Sequence, residues 1–155
     1  MSALRKWIFL LALIGLAACA PVATQSPATP TFPPTQTIPG DTLFIRYHRS
    51  GGIAGMDDTW LIYASGRVEH SGRGSGHPLQ LSASQLVSLT AAAQSPEVAA
   101  LQDSYVPADT CCDRFLHEIT LTLGGQTKTV RTLDAAPDEP PALTNLLNVL
   151  NTVLK

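Results

Sequence analysis

From Thr42 to Arg49 the chain alternates, with Leu43, Ile45 and Tyr47 on one side and Phe44, Arg46 and His48 on the other. A period of two marks a half-buried strand. Three glycines at 51, 52 and 55 then interrupt the pattern. Alternation resumes from Thr59 to Ala64, Trp60 and Ile62 against Leu61 and Tyr63, and Ser65-Gly66 turns the chain tightly into Arg67-Val68-Glu69-His70. These three segments predict an antiparallel meander. The period changes at Ser82-Ala-Ser-Gln85, a capping-box pattern. Leu86, Leu89 and Ala93 follow at helical spacing, predicting a helix from about Ala83 to Gln94. Ser95-Pro96-Glu97 starts a second, short helix reaching Leu101, and Asp103 to Asp113 reads as irregular.

Phe115, His117, Ile119, Leu121 and Leu123 alternate with Leu116, Glu118, Thr120 and Thr122; Gly124-Gly125 turns the chain, and Gln126 to Leu133 returns. A two-residue turn sets Ile119 opposite Val130 and Glu118 opposite Arg131. After Asp138-Glu139-Pro140-Pro141, a last helix carries Leu143, Leu146, Leu147, Leu150 and Leu154 as one apolar stripe that has to lie on a sheet. The expected fold class is α+β: an antiparallel sheet of about five strands, meander plus C-terminal hairpin, with helices packed on one face.

Two stretches fall outside this pattern. Arg5 and Lys6 precede an apolar run from Trp7 to Leu16, too short for the ~20 residues a membrane-spanning helix needs, so residues 1–18 read as a secretory signal. Its end, Leu16-Ala17-Ala18-Cys19, resembles the lipobox of bacterial lipoproteins, which implies a diacylglyceryl group on Cys19 as the first residue of the mature chain. Several acyl chains hold a protein stably where one holds it marginally. Residues 19–40 are then the lipidated cysteine and a Pro/Thr-rich tether without charge, with prolines at 21, 27, 30, 33, 34 and 39. Such a segment favours extended polyproline II and, at about 3.1 Å per residue, reaches several tens of ångströms. Residues 41–155 are expected to form a single domain. The expected location is the extracytoplasmic face of the cell membrane or outer envelope, with the membrane itself a partner through Cys19.

Charge narrows the partners further. Removing Arg5 and Lys6 with the signal leaves 8 of the 10 basic residues against 12 acidic ones, a formal charge of −4, with no basic patch for nucleic acid. Cys111 and Cys112 are adjacent, so their Cα atoms lie about 3.8 Å apart, short of the roughly 4.4–6.8 Å of ordinary disulfides. A strained vicinal disulfide and two free thiols both remain open. Zinc is disfavoured because adjacent cysteines lack the spacing that brings two thiolates to one metal.

No arrangement announces catalysis. His48, His70, His77 and His117 are scattered without metal-ligand spacing, and the glycine-rich loop from Ser71 to Pro78 matches no phosphate-binding motif. Asp57 and Asp58 are neighbours in a strand and so face opposite ways, which defeats joint acid and base work. The chain is expected not to be an enzyme, and to carry no cofactor, metal or catalytic residue. The loop Ser50, Gly51, Gly52, Ile53, Ala54, Gly55, Met56 is the candidate contact site. Its glycines permit close backbone approach, and Ile53 and Met56 offer apolar side chains to a partner's pocket. The same glycines are equally accounted for by a hairpin that needs positive φ.

The order Arg49-Ser50-Gly51-Gly52-Ile53-Ala54-Gly55, a helical middle, Asp113-Arg114-Phe115 opening an I-T-L-T-L strand, a Gly-Gly hairpin, and Pro140-Pro141-Ala142-Leu143 before a terminal helix resembles the emfourin, or protealysin-inhibitor, family. The likeness covers most of residues 43–154, and its specificity lies in the order of short motifs. It implies tight inhibition of thermolysin-like zinc metalloproteases, with the loop Ser50 to Met56 as the protease-contact segment and Asp57, Asp58 or His48 near enough to approach the protease zinc. The lipid signal, the tether and the Cys111-Cys112 pair depart from the pattern of the characterised inhibitor. The other expectation is an envelope lipoprotein with a structural or partner-binding role and no protease target.

Overall fold

The computed structural model describes residues 41–73, 75 and 79–155. The elements run β1 (Leu43–Gly51), β2 (Met56–Tyr63), β3 (Arg67–Ser71), β4 (Leu79–Gln80), α1 (Ala83–Ala93), α2 (Pro96–Ala99), β5 (Ser104–Tyr105), β6 (Phe115–Leu123), β7 (Gln126–Leu133) and α3 (Pro141–Val153). They form one sheet in the order β4-β3-β2-β1-β6-β7-β5. The class is α+β. The expected plan of about five antiparallel strands with helices on one face gives way to a seven-stranded mixed sheet, because β5 pairs parallel with β7 and β4 extends the meander beyond β3. Both added strands are two residues long, too short to show any period, and they cover edges that would otherwise present unpaired backbone.

The centre of the sheet is the β1–β6 pairing, which sets Tyr47 opposite Ile119 and Ile45 opposite Leu121. On the other side of β1, Tyr47 faces Trp60 and Ile45 faces Ile62. These inward positions join Leu89 of α1, Val98 of α2 and Leu143, Leu146 and Leu150 of α3 in one apolar cluster. Burying each large aliphatic side chain is worth about 1.5–3 kcal/mol, so the α3 stripe is a main source of the energy that holds helix to sheet. The opposite phase of the strands carries polar side chains: Glu118 lies between Arg46 at 3.7 Å and Arg131 at 3.4 Å.

Local departures from the alternation have local causes. Phe44, expected on the outer side, is buried together with Ile45, because the register shifts between Leu43 and Ile45 and the bulge turns two successive residues inward. The Asp41 carboxylate accepts hydrogen bonds from Ser65 and Arg67, stapling the start of β1 to the β2–β3 turn. Burial pushes this carboxyl up, but the bonds from Ser65 and Arg67 outweigh it and hold the group below its ordinary value. Ser82 and Gln85 form the capping box of α1 reciprocally, and Ser95 caps α2 ahead of Pro96. In α3 it is Val153 that completes the buried stripe, with Leu154 half-buried just beyond it.

Candidate functional site

The glycine-rich segment is shorter and more rigid than the sequence implies. Ser50 and Gly51 complete β1 and Met56 opens β2, with Gly51 paired to Met56, so only residues 52–55 form the turn. Gly55 N–H donates to the Gly52 carbonyl at 3.0 Å, and Gly52 N–H donates to the Arg114 carbonyl at 3.2 Å. The hairpin end therefore rests on the residues that enter β6. Glycine is required for that contact: a Cβ at Gly51 would stand 2.6 Å from the Arg114 oxygen, and one at Gly52 2.7 Å from the Phe115 ring. Both residues also have positive φ. From this fixed base Ile53 projects with 88 % of its surface exposed, flanked by exposed Ala54 and Gly55. Met56 is half-buried in the strand and does not share the tip.

Directly behind the tip, the inward phase of the sheet turns polar. Asp58, only 1 % exposed, accepts from Arg49 Nη2 at 3.1 Å and lies 3.3 Å from His70 Nε2. Gly72 makes room for it, since a Cβ there would lie 2.2 Å from Asp58 Oδ1. The Arg49 guanidinium sits over Trp60 and Phe115, at 5.3 and 5.1 Å from the ring centroids, and its Nε is buried without a hydrogen-bond partner. Tyr47 stacks on Trp60 and on His117, and Trp60 stacks on His70. Tyr47 Oη lies 2.7 Å from His117 Nδ1, while His117 Nε2 lies 2.7 Å from Asp134 Oδ1. A carboxylate only accepts, so Nε2 carries a ring proton, and in the neutral imidazole Nδ1 accepts from the Tyr47 hydroxyl. The other Asp134 oxygen accepts from Phe115 N–H at 3.1 Å. Burial pushes the Tyr47 phenol up to about 12, so near neutral pH it keeps its proton and acts as a donor, not a nucleophile.

Tyr47, Arg49, Trp60, Phe115, His117 and Asp134 line a cleft of about 520 Å³, bordered also by Asn151, Leu154 and Lys155 at the end of α3. That volume lies in the range of small-molecule sites. Sequence reading passed over this constellation, although a signal was present. Arg49, Asp58, His70 and His117 all fall in the inward phase of strands whose neighbours at that phase are apolar, and a polar group there has to find partners.

The other residues singled out in the sequence lie apart from the cleft. Asp57 meets His48 at 2.7 Å in the outward phase of the sheet, so Asp57 and Asp58 do face opposite ways. Asp58, buried between Arg49 and His70, cannot reach a partner's zinc, whereas Asp57 is exposed beside the turn and holds His48. Cys111 and Cys112 stand as exposed free thiols in a loop where Asp109 Oδ1 accepts from Cys111 N–H and Arg114 donates to the carbonyls of Cys111 and Asp109. The hydrogen bonds with the Cys112 thiol and with Asp109 push the Cys111 thiol up. Among the described residues no three His, Cys, Asp or Glu side chains are grouped to hold a metal ion. Cys19, the tether and His77 lie outside the described residues. Comparison with protein-family models, with curated proteins and with solved structures finds no match for this chain.

Proposed function

We propose that the chain is a lipid-anchored extracytoplasmic binding protein that inserts its β1–β2 hairpin tip into a partner's cleft, in the manner of proteinaceous inhibitors of thermolysin-like metalloproteases. The observation that carries this reading is Ile53, a large apolar side chain 88 % exposed at the end of a turn that is clamped to the body of the domain. An isolated exposed aliphatic residue is ordinary, but one held on a rigid protrusion loses little conformational entropy on binding and is preorganised as an anchor. The resemblance of the motif order to that of emfourins suggests the class of target, and the lipobox-like Leu-Ala-Ala-Cys19 with the proline-rich segment after it suggests the anchor and the reach.

Binding by this route needs no chemistry from the chain itself. Ile53 fills an apolar pocket, the backbone of residues 52–55 lies close to the partner because Ala54 and Gly55 add little bulk, and the strands behind keep the tip from collapsing into a cleavable extended segment. The test is inhibition by the full chain of several thermolysin-like zinc proteases. Inhibition at about micromolar concentration or below is expected, the affinity of a specific interface. No slowing of any of them removes the protease from this reading.

A further inference from the structure

We infer that the cleft behind the hairpin is a binding site for a carboxylate carried on an apolar stem, with Arg49 as the group that recognises it. This rests on different residues from the hairpin tip and stands or falls separately.

Among the described residues, the fold leaves a buried donor of Arg49 without an acceptor. Arg49 is bound by Asp58 through Nη2, while its buried Nε has no acceptor among the described residues. A buried N–H without an acceptor is costly, and native structures rarely leave one so. Trp60 and Phe115 cover the guanidinium from their ring faces, so the directions left for an acceptor lie in the guanidinium plane. Arg49 lines the cleft, and a carboxylate entering there meets the guanidinium edge in that plane, reaching the buried Nε once the side chain shifts to admit it.

The remaining lining fixes the rest of the ligand. His117 has both ring nitrogens engaged, by Tyr47 and Asp134, and therefore offers its surroundings a ring face and not a hydrogen bond. Phe115 and Leu154 supply further apolar wall, which suits an aliphatic or aromatic stem. Lys155 also lines the cleft, and the Asp134 carboxylate there is engaged through both oxygens. A small acid and the C-terminus of a peptide ending in an apolar residue share this chemistry.

Trp60 makes the site directly observable, because Trp7 is the one other tryptophan of the chain. In the full chain carrying Trp7→Phe, 3-phenylpropionate and the peptide Ala-Ala-Phe with a free carboxylate are titrated against Trp60 fluorescence. Their neutral counterparts, 3-phenylpropanol and the peptide amide, serve as comparisons. Saturable change with a dissociation constant below about 1 mM is expected for at least one acid, and binding at least about tenfold weaker for its neutral counterpart. Response to the small acid alone identifies a free carboxylic acid as the ligand, response to the peptide alone a protein C-terminus, and response to both a site that reads only the shared head and stem. Arg49→Lys, which keeps a charge beside Asp58 but loses the planar fork, is expected to weaken the acid at least about tenfold. The acid and alcohol pair on otherwise unaltered protein keeps the test decisive should that variant fold poorly. Equal affinity for acid and neutral counterpart, or no saturation by either acid up to about 10 mM, overturns the assignment.

Discussion

At the scale of single residues, the polar side chains inside the sheet are held by neighbours that leave them little freedom. Gly72 shows how narrow the margin is: with φ +138° and a would-be Cβ 2.2 Å from Asp58 Oδ1, it has both backbone and space reasons to be glycine. Gly72→Ala should cost at least about 2 kcal/mol in chemical denaturation, the scale of a strained backbone plus a displaced buried carboxylate. Gly124→Ala, at φ +57° with nothing within 4 Å, should cost only about 1–2 kcal/mol. Asp41 gives a prediction with a sign. Its carboxyl titrates below the ordinary value of 3.8 in the folded state, so the folded form binds the proton less readily than the unfolded chain. The stability it contributes is present above that value and is lost as pH falls through the lower folded one. Acid unfolding curves of wild type and Asp41→Asn should therefore differ near neutral pH and converge below about pH 3.8. At this scale the sequence was only partly legible. Glu118 opposite Arg131 followed from the turn, whereas Tyr47, His117 and Asp134 meet from β1, β6 and the residue after β7, with no local spacing to announce them.

At the scale of elements, the long ones were readable because period and punctuation agreed. Serine, proline and glycine bracket α1, α2 and the β6–β7 hairpin, and the Ile119–Val130 register is the one a two-residue turn dictates. Three features escaped. The bulge that buries Phe44 depends on how β1 meets β2, the strands β4 and β5 exist only through pairing with longer partners, and the loop at residues 50–56 proved to be a four-residue turn with strand on either side. In each case the decisive contact is non-local. The α3 stripe is the element on which the rest of the fold leans, since Leu143, Leu146 and Leu150 close the apolar cluster over the central strands. Leu150→Ala should destabilise the domain by about 2–5 kcal/mol, read as a drop in the thermal midpoint, because the site is fully buried and cannot refill from solvent.

At the scale of the whole molecule, the proposed function joins a lipid at position 19 and an uncharged Pro/Thr-rich segment to a small folded body whose exposed Ile53 meets other proteins near a membrane. Mass spectrometry of the mature chain should find Cys19 at its N-terminus carrying about two or three acyl chains, while a mature chain that keeps residues 1–18 or bears no lipid contradicts the anchor. The two proposed roles divide the folded body between them: the exposed Ile53 tip for a macromolecular partner, and the cleft of about 520 Å³ for a carboxylate on an apolar stem. The most direct test of the binding role is the inhibition constant of the full chain against a thermolysin-like metalloprotease, measured side by side for wild type and Ile53→Asp. Removing an apolar anchor of about 2 kcal/mol should weaken inhibition roughly 30-fold while leaving the thermal midpoint unchanged, because Ile53 makes no part of the core. An inhibition constant that Ile53→Asp leaves unaltered would show that the hairpin tip is not the surface through which this protein acts.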